Sequence, residues 1–90
     1  MLTWTTKQLA DILGVSPSTI RTWIQLKKIR AVKTCNKEGC YIRDSSLFDF
    51  LNTHPQYMQK FMHKLFENST FYGMNSIEVW HYLQRKEYLP

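Results

Sequence analysis

The chain is short of what most catalytic and membrane-spanning architectures need. Three glycines and three prolines in 90 residues leave no glycine-rich loop to cradle a phosphate, and neither HExxH nor a nucleophile motif is present. The acidic residues are spread over several predicted helices and a hairpin tip without paired spacing, which argues against an enzyme and against a small-molecule substrate. Cys35 and Cys40 are the only cysteines, and C-x4-C without a second pair is a weak zinc signal. His54, His63 and His81 are scattered, so neither a metal nor a cofactor is expected. No apolar run approaches the ~20 residues of a membrane span, and the N-terminus lacks the basic start, apolar stretch and cleavage site of a signal peptide. A cytoplasmic location follows as the expectation, with the cysteines as structural thiols. A disulfide between them across a hairpin is geometrically conceivable, and redox or metal roles share what is left.

What the chain does have is concentrated in Thr5 to Lys28, TTKQLADILGVSPSTIRTWIQLKK. Thr5 with Gln8 makes a capping box, and Trp4 with Leu9 has the spacing of a hydrophobic staple. Leu9, Ile12 and Leu13 fall on one helical face beside the small Ala10. Gly14 stops that helix, because glycine enters the left-handed conformation most cheaply. Ser16 is a good N-cap and Pro17 suits the first helical position, so a second helix starts almost at once. At about 100° per residue, Ile20, Trp23 and Ile24 share one side of it. Ser18, Arg21, Thr22 and Gln25 share the other, a face with a guanidinium, hydroxyls and an amide but no carboxylate. Such groups hydrogen-bond phosphates and base edges in a major groove.

The charge agrees. The net charge is +5, but from Arg21 to Arg43 seven basic residues face only Glu38, giving +6 there and −1 over the remainder. A positive field confined to the second helix and the segment after it is the footprint of a phosphate-binding surface. Next, IRAVKTCNKEGCYIR from Ile29 to Arg43 has β-branched and aromatic residues on both sides of Asn36-Lys37-Glu38-Gly39, predicting a β-hairpin. Asp44 is placed to cap a third helix with an apolar stripe of Leu47, Phe48 and Leu51, which His54-Pro55 ends.

Ala10, Gly14, Val15, Ile20 and Trp23 stand at the small, turn and core positions of a helix-turn-helix. The run KQLADILGVSPSTIRTWI, the basic hairpin and YIRDSSLFDFL together resemble the winged-helix domains of the excisionase-like and MerR-like families, and are similar to the DNA-binding domain of phage small terminase subunits. The resemblance covers Leu2 to Thr53. It implies that the hairpin is a wing, that Lys33, Lys37 and Arg43 meet phosphates with Lys37 as groove probe, and that Ser16 and Thr19 anchor the helix start to the backbone. Arg21 and Gln25 are then the base readers, with Ser18 and Thr22 reaching bases or phosphates and Lys28 completing the DNA-binding set.

From Pro55 onward the character changes. Tyr57-Met58, Phe61-Met62 and Leu65-Phe66 repeat every four residues on a helix that Pro55 can start. Asn68 to Asn75 reads as a turn, and Asn75 with Glu78 as the cap of a last helix carrying Ile77, Trp80 and Leu83. Eight of the thirteen aromatics lie in these last 36 residues, more apolar surface than a helical hairpin can bury alone. The hairpin therefore either folds back to thicken the core, or makes a homodimer or docks a protein partner.

The expected fold is mainly α with a small β-hairpin wing: a winged helix-turn-helix over residues 1–54 and a C-terminal helical extension over 55–90. The expected function is that of a small sequence-specific double-stranded DNA-binding protein, an excisionase-like or transcription-regulating factor of a phage or mobile element. Two further readings compete with it: a DNA-recognition subunit for phage packaging, and a protein-interaction module using the aromatic hairpin.

Overall fold

The computed structural model describes residues 2–32 and 40–89. Five helices and two small antiparallel sheets are found among them. Helix α1 spans Thr6–Leu13 and α2 Pro17–Gln25; α3 runs Asp44–Thr53, α4 Pro55–Glu67 and α5 Ser76–Arg85. Strand β1 (Thr3–Thr5) pairs with β2 (Tyr41–Arg43), while β3 (Thr70–Phe71) and β4 (Met74–Asn75) make a second ribbon. The mainly helical fold with a small β element agrees with the sequence reading.

The helix starts follow local chemistry. Thr5 and Gln8 exchange both bonds of the capping box: Gln8 N–H donates to Thr5 Oγ1 at 3.1 Å, and Thr5 N–H to Gln8 Oε1 at 3.0 Å. Gly14 closes α1 at φ +69°, a left-handed conformation in which its N–H reaches Ala10 O. Ser16 Oγ accepts from Thr19 N–H at 3.2 Å, and Pro17 takes the first position of α2. His54, extended before its proline, is the only residue between α3 and α4.

The expectations fail where pairing is long-range. The N-terminal strand β1 is absent from the sequence reading, because three residues carry too little pattern to announce a strand. It lies beside β2 in the register Thr3 to Arg43, Trp4 to Ile42 and Thr5 to Tyr41. On the other side of β2, Ala31 bridges Ile42 and Val32 N–H donates to Tyr41 O at 2.8 Å. This is the base of the wing, and the predicted tip with Lys33, Cys35 and Lys37 lies outside the described residues. Thr6 secures the base from α1, its N–H and Oγ1 both reaching Cys40 O, at 3.0 and 3.1 Å. Cys40 is disulfide-bonded, not the thiol expected of a cytoplasmic protein; bond formation follows sulfur proximity, which composition does not report.

Asp44 is also corrected. It is the first residue of α3, not its cap; the cap position belongs to Arg43, whose side chain makes no capping bond. Asp44 is only 4% exposed, and its carboxylate accepts from Ser45 N–H at 2.7 Å, Leu2 N–H at 3.3 Å and Tyr82 Oη at 2.7 Å. One side chain thus ties the residue before β1 to α3 and α5.

The core is a single cluster drawing on both halves of the chain, from Trp4, Leu9, Ile20 and Phe48 to Phe61, Phe71 and Leu83. Phe61 is its centre: its ring meets Trp4 edge-on at 5.8 Å, Phe48 at 5.1 Å and Phe71 at 5.4 Å. On α5 the buried residues are Ser76, Val79 and Leu83, so the predicted stripe is rotated and Ile77 stands 66% exposed. The predicted turn at 68–75 contains the β3–β4 ribbon, turned by Tyr72 (φ +52°) and Gly73 (φ +81°).

Candidate nucleic-acid interface

The second helix is held from behind, and its outward face stays clear. Ile20 is fully buried, Trp23 and Ile24 partly so. Trp23 packs on Phe50 of α3 at 4.9 Å and on Tyr57 of α4 at 5.4 Å between ring centroids. Ser18, Arg21, Thr22 and Gln25 are all exposed, as their helical spacing requires. Among the described residues no ion pair or hydrogen bond engages the Arg21 guanidinium or the Gln25 amide. Thr22 Oγ1 donates to Ser18 O at 3.0 Å, which leaves that hydroxyl only its acceptor lone pairs for a ligand.

The start of α2 carries a cluster of hydroxyls. Ser16 Oγ lies 3.2 Å from Ser18 Oγ and 2.9 Å from Thr19 Oγ1. Ser16 is exposed and Thr19 partly buried. Three hydroxyls at a helix N-terminus suit phosphate oxygens, since spare backbone N–H groups and the helix dipole act there in the same sense.

Basic side chains continue the surface. Lys27, Lys28 and Arg30 come after α2 in sequence and Arg43 ends β2; all four are exposed. Lys27 takes φ +60°, turning the chain from the helix toward the wing base. Of the predicted site, Ser16, Ser18, Thr19, Arg21, Thr22 and Gln25 lie on or at the start of one helix, Lys28 just beyond it and Arg43 on the wing base. Lys33 and Lys37 lie outside the described residues. In the sequence Arg30 registers only as part of the charge; its pairing with Arg43 depends on strand register, and the β-branched residues on both sides of the hairpin are the signal that points to it.

The carboxylate of α1 is engaged by the C-terminal region. Asp11 of α1 accepts a hydrogen bond from the Tyr72 hydroxyl and lies 3.8 Å from Lys64 Nζ. Lys60 Nζ donates to Leu13 O at 3.4 Å, at the end of α1. Burial, and then the hydrogen bond and charge of Asp11, raise the Tyr72 pKa, so the phenol remains protonated as the donor. Among the described residues no group of His, Cys, Asp or Glu is arranged to hold a metal ion, and no helix is long and apolar enough to cross a membrane.

A family model for the helix-turn-helix domain matches residues 5–55, more than half of the chain. The chain belongs to the helix-turn-helix domain family. No curated protein and no solved structure matches it significantly. For this helix-turn-helix protein, family and geometry coincide: the matched segment runs from the capping box of α1 through α2 and the wing base to the α3–α4 junction. Membership supports a small DNA-binding regulatory protein.

Proposed function

We propose that this helix-turn-helix protein binds double-stranded DNA sequence-specifically, as an excisionase-like factor or transcription regulator of a phage or mobile element. The observation that carries the reading is the outward face of α2, where Ser18, Arg21, Thr22 and Gln25 are all exposed and no carboxylate interrupts them. Arginine suits guanine O6 and N7, and glutamine suits adenine N6 and N7, each in a two-bond geometry. Ser16 and Thr19 hold the helix start to the backbone, while Lys28, Arg43 and the wing residues Lys33 and Lys37 supply salt-dependent affinity. Selection from a random duplex library gives a preferred site, on which Arg21→Ala is then compared with wild type. The expected loss is about 1–3 kcal/mol on that site and much less on random DNA. Equal loss on both would demote Arg21 to a phosphate contact.

A specific observation favours self-association as part of this function. Phe66 is 57% and Ile77 66% exposed, and Phe66 meets Trp80 at 4.9 Å. Beside them a groove of about 500 Å³ runs along α4, lined by Met58, Gln59, Met62, His63, Phe66 and Glu67. The occupant this strip suits is a second copy of itself. Two α4 helices packed antiparallel about Met62 set Met58 against Phe66, an apolar pair on each side of the centre. A dimer also reads two half-sites, which a single small reading head cannot do.

A further inference from the structure

The base of the wing carries two arginines where strand pairing disfavours them. Ala31 bridges Ile42, and Val32 N–H donates to Tyr41 O at 2.8 Å, in an antiparallel register. Continued by one residue, that register sets Arg30 directly opposite Arg43. Directly opposed residues have Cβ atoms about 4.5–5.5 Å apart and point to the same face, and like charges so placed are destabilising. Both arginines are exposed, and both line a cleft of about 510 Å³ completed by Ala31, Val32, Ser45 and Ser46.

Among the described residues no carboxylate forms an ion pair with either of them. Asp44, the carboxylate nearest in sequence, is buried and engaged by Leu2, Ser45 and Tyr82. Asp49 stands exposed on α3 one turn beyond Ser45 and Ser46 and makes no ion pair with either arginine; its charge contributes to the raised pKa of Tyr88, after burial and Asp44. Two cations held together without an ion-paired carboxylate, beside two hydroxyl-bearing side chains, are what an anion with several acceptor oxygens requires.

We propose that Arg30 and Arg43, with Ser45 and Ser46, form a seat for one phosphodiester of the DNA backbone, shared by both guanidiniums and separate from the face of α2. The proposal rests on the DNA-binding reading and adds a second anchor to it. The hydroxyls of Ser16, Ser18 and Thr19 fix the start of α2, and the wing base fixes the chain beyond its end. Contacts to phosphate at two places set the register and tilt of the helix between them without reading sequence.

The test measures the salt dependence of binding to a random-sequence duplex for the full chain, for Arg30→Ala, for Arg43→Ala and for the double variant. Each neutralised phosphate contributes about 0.9 to the slope of log affinity against log salt. A seat for one shared phosphate predicts that the double variant lowers the slope by about one in all, and that neither single variant lowers it by more than that. A fall of about two in the double variant would mean two independent contacts, and unchanged slopes would mean none; either overturns the seat. Thermal melts of the same variants should show unchanged or raised stability, because a repulsion has been removed, so a change of slope cannot come from unfolding. Wild-type protein that fails to bind any duplex would remove the DNA-binding reading itself, whereas wild-type binding with unaltered variants removes only the seat. Inorganic phosphate replaces chloride at equal ionic strength to separate the two sources of the anion. Equal displacement of DNA by both salts supports backbone phosphate presented by a duplex. Stronger displacement by phosphate, lost in the double variant, would make this a free-phosphate site and overturn the assignment.

Discussion

Helices α1 and α2 form one pair and α4 and α5 another, and the two pairs turn opposite chemistry toward solvent. The first is joined by the three residues Gly14-Val15-Ser16 and exposes hydroxyls, an amide and a guanidinium. The second is joined by the β3–β4 ribbon and exposes Phe66 and Ile77 beside Trp80. A polar cationic face gains from meeting a polyanion, and that gain weakens as salt screens it. An apolar face gains from losing water, and salt affects it little. The difference teaches that two kinds of surface can share one small core, because Phe61 of the second pair packs against Trp4 at the entrance to the first.

Breaking that shared core is expected to have the largest effect. Phe61→Ala leaves Trp4, Phe48 and Phe71 without their common ring partner and should cost about 3–5 kcal/mol. Against a stability of about 5–15 kcal/mol for an ordinary domain, that is enough to unfold much of the population. Both helix pairs should be lost in one transition, followed by circular dichroism and by tryptophan fluorescence together. Separate melting of the C-terminal pair would show that the two regions are independent units.

A smaller effect is expected at the link between α5 and the wing base. Tyr82→Phe removes the donor at 2.7 Å from the buried Asp44 carboxylate and should cost about 1–3 kcal/mol. The hydrogen bond to Asp44, followed by burial, raises the pKa of Tyr82, while burial leads the causes at Tyr72 and Tyr88. A raised phenol pKa means that the folded state holds its proton more tightly than the unfolded state. The stabilisation is therefore complete below the unfolded value of about 10 and falls as pH rises above it. Urea unfolding at pH 8 and above pH 10 should show wild type losing stability with alkali. Tyr82→Phe should lose less, and an equal loss would place the alkaline sensitivity elsewhere.

The smallest effect on stability sharpens the comparison most. Ile77→Glu alters a residue that is 66% exposed and should change folding stability by no more than about 0.5 kcal/mol. Sedimentation equilibrium should nevertheless show self-association lost, with affinity for short random DNA nearly unchanged. A wild-type chain that is monomeric at high concentration would contradict the role given to this face.

These expectations divide along the same line as the legibility of the sequence. Thr5 with Gln8, Gly14, Ser16 with Pro17, and His54-Pro55 each fix a helix boundary through neighbours within a few residues, and each is readable. So is the outward face of α2, because helical spacing alone sets it. The strand β1, the burial of Asp44 and the opposition of Arg30 to Arg43 depend on which distant segments pair, information that local pattern does not contain. Ile77 escapes a correct reading for a related reason. A helix with apolar residues on more than one side, here Ile77, Val79, Trp80 and Leu83, does not declare which side meets the core.

The central claim is that the basic, carboxylate-free surface of α2 and the wing base binds duplex DNA. It is tested most directly by fluorescence-anisotropy titration of the protein onto a random-sequence duplex at about 50 mM and about 200 mM salt, where about four neutralised phosphates correspond to a loss of affinity on the order of a hundredfold. Binding that falls by that order supports the surface as a phosphate-binding site and justifies the search for its sequence. Absence of binding at the lower salt, or binding indifferent to salt, would contradict the account and leave the α4–α5 face as the working surface of the protein.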